Sequence, residues 1–591
     1  MIGGGDSLPL RARGLIGDTG TAALVAADGT IDWWCPGRFD APAALFKLLH
    51  GEGGAVRVGP AGPLQLGEQS YDPGTNVLRT RLPSSEGELE VVDLMPWDGS
   101  NRPDGRIVRI VTALRGRVDV EIDVQPGASF GPARDVHPFS EGIVFDGVAV
   151  HAGVPIEART GNLTLEAGDR AVVVIGEVGE RGRAEGLSIT GALDLLDRTN
   201  TAWRSHLSPL TYVGPHHHAV ERSLLALKAL TYGPTGTIVA AATTSLPERV
   251  GGERNWDYRY SWVRDASLAF DATYDAGLTD EAETFNEWLL GILAGATFPL
   301  HPMYDVDGLP LDDAGEVELG GLDGWRGSRP VRIGNGAADH LQLDFYADLV
   351  SSIHAQQFRL PNSRVAELWA PLSAMADWLA TAWQQPDRGI WEIRSDPRHL
   401  VSSKLACWYA LDRMCELGRS RNPLDLDVVH WRQTANEIRH WIATNGVAAD
   451  GSLRADGSER DLADGYLVQV AWRNPWPGDD RVVDRTIDRT VEQLGSGPFL
   501  RRYSSALDDG FSEGEGAFLA CSFWAVEALA ARGRWEEAHE RMDALCAFSG
   551  PLGLLPEEAD VATGDFLGNL PQALSHLTLI QAALALARGP A

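Results

Sequence analysis

Cysteine is scarce in this sequence. The five cysteines (Cys35, Cys407, Cys415, Cys521 and Cys546) include no C-x-x-C pair. An odd number without paired spacing argues against both a disulfide framework and a zinc site. No apolar run approaches the length of a membrane span, and residues 1–18 lack the apolar segment of a secretion signal. These absences predict a cytoplasmic protein with no membrane span and no metal or other cofactor.

Positive charge is also in deficit, since 51 Lys and Arg residues face 82 Asp and Glu residues and the net charge is −31. This balance argues against nucleic acid and anionic membranes as partners and suits a neutral small ligand. The sequence contains no P-loop, no G-x-S-x-G and no G-x-G-x-x-G before a helix, so it indicates no nucleotide or serine-hydrolase site. The sequence is compatible with either a monomer or a homo-oligomer.

The 591 residues divide into two regions of different periodicity. Residues 1–190 favour short strands, as in the alternating run from Val118 to Val124, and predict an antiparallel β-sandwich. Residues 191–214 are expected to connect it to an all-α region at 215–591. Twelve helical stretches are predicted there, starting near His216, Trp262, Thr279, Gly336, Asn362, Val401, Leu424, Asp461, Asp480, Glu515, Arg534 and Leu567.

Twelve helices with short and long connections in alternation predict six helical hairpins closed into an (α/α)6 barrel. The loops before the even-numbered helices should then emerge at one end of the barrel. These loops are expected at residues 234–261, 296–335, 385–400, 445–460, 495–514 and 549–566. Because functional side chains concentrate on loops held by a rigid scaffold, this end is the expected position of a site.

The first of these loops leads into the most unusual stretch of the chain, residues 255–265, which contains four aromatic residues and charges of both signs. A sugar has C–H faces that stack on aromatic rings and hydroxyls that bond to charged side chains. A helix start with an aromatic cluster and an ion pair explains the same stretch without any ligand.

Two further loops carry acids that suit glycoside hydrolysis. Trp391-Glu392 sets a carboxylate beside an aromatic ring, the kind of neighbour that suits a general acid. Glu557, Glu558 and Asp560 precede the last predicted helix. Inverting glycosidases use two carboxyl groups roughly 6.5–9.5 Å apart, one protonating the leaving oxygen and the other activating water. On its own, Glu392 is more simply a solvated glutamate, and the acids at 557–560 would complement the dipole at the start of the helix that follows.

Several longer motifs resemble glycoside hydrolase family 15, the glucoamylases and related trehalases. They span nearly the whole chain, and the N-terminal motifs are similar to those of the bacterial trehalase-like branch. The motifs lie at residues 251–265, 327–335, 516–524 and 568–576, with residues 16–18, 31–33 and 38–40 in the N-terminal region.

The resemblance implies an inverting, exo-acting α-glucoside hydrolase. Glu392 matches the general acid and Glu557 the general base, although Pro556 stands where Ser is common and leaves Glu558 as an alternative base. The other matches are substrate-binding residues: Tyr258, Trp262, Arg264, Asp265, Trp325, Trp391 and Arg502.

The expected reaction is release of β-glucose from the nonreducing end of an α-glucoside by a glucoamylase-type enzyme. An α,α-trehalase on the same scaffold is the alternative, because only the leaving group differs. A disaccharide phosphorylase is less expected, since it needs no second carboxylate. A noncatalytic sugar-binding protein would not need both acids.

Overall fold

The computed structural model describes residues 8–178, 185–311, 315–359, 367–421, 426–458, 460–512 and 514–589. The N-terminal part of these residues forms sixteen strands, numbered here in chain order: β1 Arg13–Gly17, β2 Ala22–Ala26, β3 Thr30–Trp34, β4 Ala55–Pro60, β5 Glu68–Tyr71, β6 Leu78–Pro83, β7 Gly87–Leu94, β8 Ile107–Gly116, β9 Val118–Gln125, β10 Gly127–Ala128, β11 Gly131–Pro132, β12 Val136–Phe139, β13 Gly142–Phe145, β14 Val148–His151, β15 Thr160–Leu165 and β16 Arg170–Glu177.

These strands build two large antiparallel sheets. One has the order β1-β2-β3-β4-β9-β15 and the other the order β12-β13-β14-β16-β8-β7-β6-β5, with β10 and β11 as a separate pair. The sheets contact each other through β4 against β6 and β7, and bury a common apolar core. On β9 every second residue is buried, which is the alternation predicted from the sequence.

Strand β8 does not follow that alternation, because its first five residues are all buried. Its second face is covered by helix α1 (Ile189–Leu207), which packs on β8 and β16. Val108 and Ile110 share a small apolar cluster with Ala192 of this helix. The segment expected to connect the two regions therefore contributes to the core of the sheets.

The C-terminal part contains eleven further α-helices among the described residues. They are α2 His217–Ala229, α3 Val263–Ala276, α4 Thr279–Ala294, α5 Phe345–Arg359, α6 Trp369–Ala382, α7 Val401–Arg421, α8 Leu426–Trp441, α9 Arg481–Leu494, α10 Leu519–Ala531, α11 Trp535–Phe548 and α12 Ala573–Ala587. A 3₁₀ helix, Gly465–Ala471, lies between α8 and α9. Short two- to four-residue strands occur only in the loops of this part, as far as it is described.

Six elements of this part pack side by side in a cycle. Helix α3 contacts α5, α5 contacts α7, α7 contacts the 3₁₀ helix, the 3₁₀ helix contacts α10, α10 contacts α12, and α12 contacts α3. The other helices lie outside this cycle, each against one or more of its members or neighbours, as α2 lies on α12, α4 on α3 and α11 on α10. None of the described helices is both long and apolar enough to cross a bilayer.

The predicted and observed helix starts agree within one residue for α2, α3, α4, α7, α9 and α11. The stretch predicted near Asp461 is instead the 3₁₀ helix, because Pro475 and Pro477 follow closely and cannot continue an α-helix. Near Gly336 there is one 3₁₀ turn before α5 begins at Phe345. The starts predicted at Asn362 and Leu424 lie outside the described residues.

Each element of the inner cycle is preceded by one of the predicted long loops. Four of these loops, 234–261, 385–400, 495–514 and 549–566, carry in turn Tyr258, Trp391 with Glu392, Arg502, and Glu557.

Candidate active site

The aromatic stretch enters the site as a short strand, Asn255–Asp257, paired with Thr244–Pro247. Trp256 and Tyr258 line a cleft, whereas Asp257 and Arg259 are fully buried away from it. The Arg259 guanidinium binds both oxygens of Asp257, at 2.9 and 2.6 Å, and the carbonyl oxygen of Ala41 at 2.7 Å. The β-sheet region thus holds the reverse side of the segment that presents Tyr258.

Trp262, Arg264 and Asp265 lie at the start of α3 and line the same cleft. Arg264 Nε donates to Asp265 Oδ1 at 3.1 Å. Asp265 is almost fully buried, and desolvation raises its pKa although Arg264 opposes the rise. A buried, fixed Arg-Asp pair can donate to and accept from sugar hydroxyls without reorganising.

Glu392 ends a tight turn that begins at Gly389. Both residues have positive φ angles, 58° for Gly389 and 54° for Glu392, and Glu392 N donates to the Gly389 carbonyl oxygen at 3.1 Å. A left-handed conformation is costly for a residue with a side chain, and such strain concentrates at functional positions. Asp387 holds the turn by accepting hydrogen bonds from Gly389 N at 3.1 Å and Ser403 Oγ at 2.8 Å.

The carboxylate of Glu392 is oriented by two donors. Its Oε1 accepts from Trp262 Nε1 at 2.8 Å and from Gln342 Nε2 at 3.2 Å. Glu392 is half-buried and lines the cleft beside Trp391. Trp391 Nε1 donates to Asp464 Oδ1 at 2.8 Å, which fixes the indole in the wall.

Glu557 lies one layer behind the cleft surface, next to Tyr258. The Tyr258 hydroxyl donates to Glu557 Oε1 at 2.6 Å, and Oε2 has no hydrogen-bond partner among the described residues. Burial raises the pKa of Glu557 to about 8, and the negative charge of Glu248 adds to the rise. Burial also raises the pKa of Tyr258 well above its ordinary value, so its hydroxyl keeps the proton that it donates.

The side chain of Glu558 has different neighbours. Its Oε2 accepts from Gly516 N at 2.8 Å, and its Oε1 lies 3.6 Å from Arg502 Nη2. Glu558 is fully buried, and neither oxygen contacts Tyr258. The side chains of the two adjacent acids therefore have different partners, and only that of Glu557 is hydrogen-bonded to Tyr258.

Two aromatic side chains connect the distant acids Glu557 and Glu392. Tyr258 holds Glu557, Trp262 holds Glu392, and the rings of Tyr258 and Trp262 meet edge to face with centroids 5.6 Å apart. The cleft that these rings line is open to solvent, and its empty space of about 700 Å³ includes the solvent at its mouth. Carboxyl groups separated by 165 residues of sequence, at positions 392 and 557, thus bind neighbouring aromatic side chains in the wall of one cleft.

Arg502 lines the cleft and anchors a buried charge network. Its Nη2 donates to Glu248 Oε2 at 2.6 Å and its Nε to Glu515 Oε1 at 2.9 Å. The oxygens of Glu248, Glu515 and Glu558 lie within 4.8 Å of one another, a spacing that a cation could bridge. The Arg502 guanidinium already supplies positive charge to all three acids, which accounts for their proximity.

Trp325 differs from its predicted position in the aromatic wall. It is buried and is not among the residues that line the cleft. The chain turns at Gly324 and Gly327, both with positive φ, and the guanidinium of Arg326 covers the indole at 4.4 Å. The turn directs this ring into the protein.

The cleft also contains residues to which the sequence analysis assigned no role: Arg254, Trp256, Arg394, Asp509 and Phe511. Arg394 lies two residues after Glu392, in a segment where only the acid suggested chemistry. Asp509 and Phe511 lie in the predicted loop 495–514, and the Asp509 carbonyl oxygen accepts from Arg394 N at 2.8 Å. The sequence indicated a role for Arg394, Asp509 and Phe511 only through their position in the predicted loops.

Comparison with known families gives two matches that together cover both regions. Residues 214–542 match the family model "Glycosyl hydrolases family 15", and residues 1–154 match "Trehalase-like, N-terminal".

Two similar proteins extend over nearly the whole chain. The trehalase of Mycolicibacterium smegmatis is 32% identical, covering 97% of this chain and 90% of its own. The trehalase of Thermoplasma acidophilum is 33% identical, covering 95% of this chain and 97% of its own. Among solved structures, a bacterial glucoamylase complexed with acarbose superposes with a TM-score of 0.70 at 11% identity, covering 99% of this chain and 96% of the other, which supports the fold alone.

Proposed function

Since this chain belongs to glycosyl hydrolases family 15 and is a glycoside hydrolase, we propose that it hydrolyses α,α-trehalose with inversion of configuration. The two relatives described above are named trehalase and align over at least nine-tenths of their own lengths. This favours trehalose over the maltooligosaccharides that the sequence motifs favour first. A glucoamylase-type activity on the same scaffold is the second candidate, because the glucose that is attacked binds in the same way for both substrates.

The observation that carries the proposal is the link from Glu557 through Tyr258 and Trp262 to Glu392. It joins two carboxyl groups from different loops through two aromatic side chains that line one cleft. Hydrolysis with inversion needs this arrangement, an acid on the side of the leaving oxygen and a base beside water on the opposite side of the sugar.

We assign Glu392 as the general acid. Its proton passes to the oxygen that joins the two glucose rings, and the C1–O bond breaks as the second glucose leaves. The half-buried Glu392 meets the cleft directly, and its Oε1 is held by Trp262 and Gln342. Its second oxygen is then the one oriented toward the substrate.

Glu557 is assigned as the general base. A water held by its Oε2 and the Tyr258 oxygen attacks C1, a new C1–O bond forms, and the water's proton passes to Glu557. The lack of any other partner for Oε2 within the described residues supports this role. Glu558 is less suited, since its oxygens are turned toward Gly516 and Arg502.

The remaining residues of the cleft bind the glucose that is attacked. Arg264 and Asp265 contact its hydroxyls, while Trp262 and Trp391 form apolar walls. Arg502 contributes positive charge near the base and lowers the pKa of Glu557 against the effect of burial. Trp325 has no part in this assignment, because its ring is directed into the protein.

We further propose that residues 215–591 form an (α/α)6 barrel, preceded by a β-sandwich at 1–190 and a connecting segment at 191–214. The closed cycle of α3, α5, α7, the 3₁₀ helix, α10 and α12, with the remaining helices outside it, supports the barrel. The packing of α1 on the sheet suggests that the connection is rigid.

Glucose release from trehalose, maltotriose and isomaltose, each measured at equal concentration, tests the substrate. The proposal predicts the highest kcat/KM for trehalose. A preference for maltotriose would instead establish the glucoamylase-type activity. Binding of glucose without hydrolysis of any of the three would reduce the protein to a noncatalytic sugar-binding role.

A further inference from the structure

The cleft changes in character from its deep end to its mouth. At the deep end Trp262, Arg264 and Asp265 are buried, with exposed fractions of 2%, 9% and 1%. At the mouth Trp256, Arg394 and Phe511 are half-buried. Glu392 is also half-buried, accepts a hydrogen bond from Trp262 of the deep end, and precedes Arg394 of the mouth by two residues. The deep end suits the glucose that is attacked, which leaves the residues of the mouth without a role in the assignment above.

Arg394 is the most firmly held of these mouth residues. Its guanidinium lies over the indole of Trp256 at 4.5 Å from the ring centroid. Its Nη2 donates to Glu316 Oε2 at 3.0 Å and to Asn335 Oδ1 at 3.4 Å. Both bonds come from Nη2, so the donors on Nε and Nη1 are not used by any residue that the structure describes. A fixed guanidinium with unused donors is suited to binding a hydroxyl.

Trp256 holds this guanidinium rather than offering a surface to a sugar. A second guanidinium, that of Arg332, also lies over the indole, at 4.7 Å. The edge of the indole meets Phe511 with centroids 5.6 Å apart, and its Nε1 donates to Glu248 Oε1 at 2.9 Å. With cations over the ring and neighbours at its edge, Trp256 has little free surface on which a sugar could stack.

The position of the departing glucose indicates which group Arg394 binds. The general acid protonates the oxygen between the two sugar rings, so the departing ring lies on the far side of Glu392 from the deep end. That side is the mouth, where Arg394 follows Glu392 by two residues on the same loop. The backbone there is fixed because Arg394 N and Ser395 N both donate to the Asp509 carbonyl oxygen, at 2.8 and 3.2 Å.

We propose that Arg394, held on Trp256, binds a hydroxyl of the departing glucose and so determines which α-glucosides the enzyme cleaves. This inference rests on the proposed function, since it needs a substrate of two rings. It makes Arg394 a specificity-determining residue and Trp256 a positioning residue. The guanidinium acts on the leaving ring and has no contact with the bond to the attacking water.

The test compares trehalose with α-glucosyl fluoride, which has the same attacked ring but no second sugar. Arg394→Met retains much of the side-chain volume and removes the donors, so kcat/KM for trehalose should fall by about 10- to 100-fold, the scale of a lost hydrogen bond to a charged group. The value for α-glucosyl fluoride should change by less than about threefold under the same reasoning. Arg394→Lys, which keeps the charge and loses the planar fork, should fall between Met and wild type.

The chain offers a matched control in Arg326. It too lies over a tryptophan, Trp325, and pairs with an acid, Asp565, and its side chain is 25% exposed against 24% for Arg394. It does not line the cleft. Arg326→Met should therefore leave the ratio of the two kcat/KM values unchanged.

Equal losses on both substrates in Arg394→Met, or no loss on either, would overturn the inference. If Arg394→Met is too unstable to assay, Arg394→Lys replaces it. That variant should lower kcat/KM for trehalose more than kcat/KM for α-glucosyl fluoride, and an equal loss on both substrates would again overturn the inference. A wild-type protein that cleaves the fluoride but not trehalose refutes the proposed function instead, so the two failures are distinguishable.

Discussion

Two buried charged groups, one in each region of this protein, have opposite hydrogen-bond surroundings. In the sheets, Arg109 and Asp93 are both fully buried and fully matched. The guanidinium donates to both Asp93 oxygens and to the carbonyl oxygens of Val56 and Gly29. At the cleft, Glu557 is equally buried, but one of its oxygens has no partner among the described residues.

Under the proposed assignment, the difference distinguishes a charged group that stabilises the fold from one that takes part in catalysis. A fully matched buried pair fixes the register of the elements that it joins, and removing one partner is costly. A buried acid that lacks full pairing has a perturbed pKa, and such groups concentrate at active sites. Variants on the two sides should therefore separate loss of stability from loss of activity.

The largest effects are expected at the two carboxyl groups. Glu392→Gln and Glu557→Gln should each lower kcat on trehalose by about 100- to 10,000-fold, the scale for a positioned acid or base. On α-glucosyl fluoride the two variants should differ. Fluoride leaves without a proton, so Glu392→Gln should retain activity, whereas Glu557→Gln should lose it because water still needs a base. Initial rates on both substrates provide the measurement.

Glu558→Gln is the internal comparison for these variants and should cost less than Glu557→Gln. The reverse ranking would move the base to Glu558. If Glu392→Gln loses hydrolysis of α-glucosyl fluoride and Glu557→Gln keeps it, then Glu392 is the base and Glu557 the acid.

Stability should respond with opposite signs in the two regions. Arg109→Met should lower the free energy of unfolding by about 3–5 kcal/mol, because it leaves Asp93 buried and unpaired. The folded pKa of Glu557, about 8, exceeds its ordinary value of 4.5, so this group lowers stability as pH rises between those values. Glu557→Gln should therefore raise Tm at pH 8 while activity is lost.

Thermal unfolding followed by circular dichroism measures both shifts. Arg115→Met is the control, because its pair with Glu88 is largely exposed and should contribute little. Equal Tm changes for Arg109→Met and Arg115→Met would contradict the assigned role of the buried pair.

A smaller effect is expected from the glycine that adjoins the base. A Cβ at Gly568 would lie 2.4 Å from Glu557 Oε2, and the residue has a φ of +70°. Gly568→Ala should displace the carboxylate and lower kcat on the order of 10- to 100-fold, as a shift of about 1 Å does for a catalytic group.

Gly564→Ala is the control, because it introduces the same backbone strain without displacing the carboxylate of Glu557. Gly564 lies in the same loop with a φ of +75°, and a Cβ added there would have no atom of another described residue within 4 Å. It should lose some stability and keep its kcat. Equal kcat values for the two variants would show that Glu557 tolerates the displacement.

The smallest effect is a shift in pH dependence. The base must be ionised, so kcat/KM should rise with pH through the pKa of Glu557. The charge of Glu248 raises that pKa. Glu248→Gln should therefore move the acidic limb of the kcat/KM profile for trehalose to lower pH. Glu515→Gln, which also removes a partner of Arg502, is the control and should move the acidic limb less. If Glu248→Gln leaves the acidic limb where it is in the wild type, the charge of Glu248 does not raise the pKa of Glu557.

Periodicity predicts much of the fold because local patterns reflect which face of an element is buried. The alternation in β9 and the helix starts of α2, α3 and α7 are of this kind. The apolar residues near Asp461 predict an α-helix, yet the two following prolines limit this stretch to a 3₁₀ helix.

The site is predictable where motifs are long and is missed where geometry decides. Trp325 and Trp256 both lie within long loops. Only the fold shows that the ring of Trp325 is directed into the protein and that of Trp256 toward the cleft. Arg394 gains its importance from Trp256, Glu316 and Asn335, which are distant in sequence. No local pattern encodes those contacts.

The stereochemistry of trehalose hydrolysis tests the two-carboxylate account most directly. In an inverting reaction the attacked ring is released as β-glucose, while the departing ring keeps its α configuration. Proton NMR at the earliest times should therefore detect the two anomers in equal amounts, before mutarotation alters the ratio. Release of α-glucose alone would mean retention, and it would contradict a water activated by Glu557 opposite the acid Glu392.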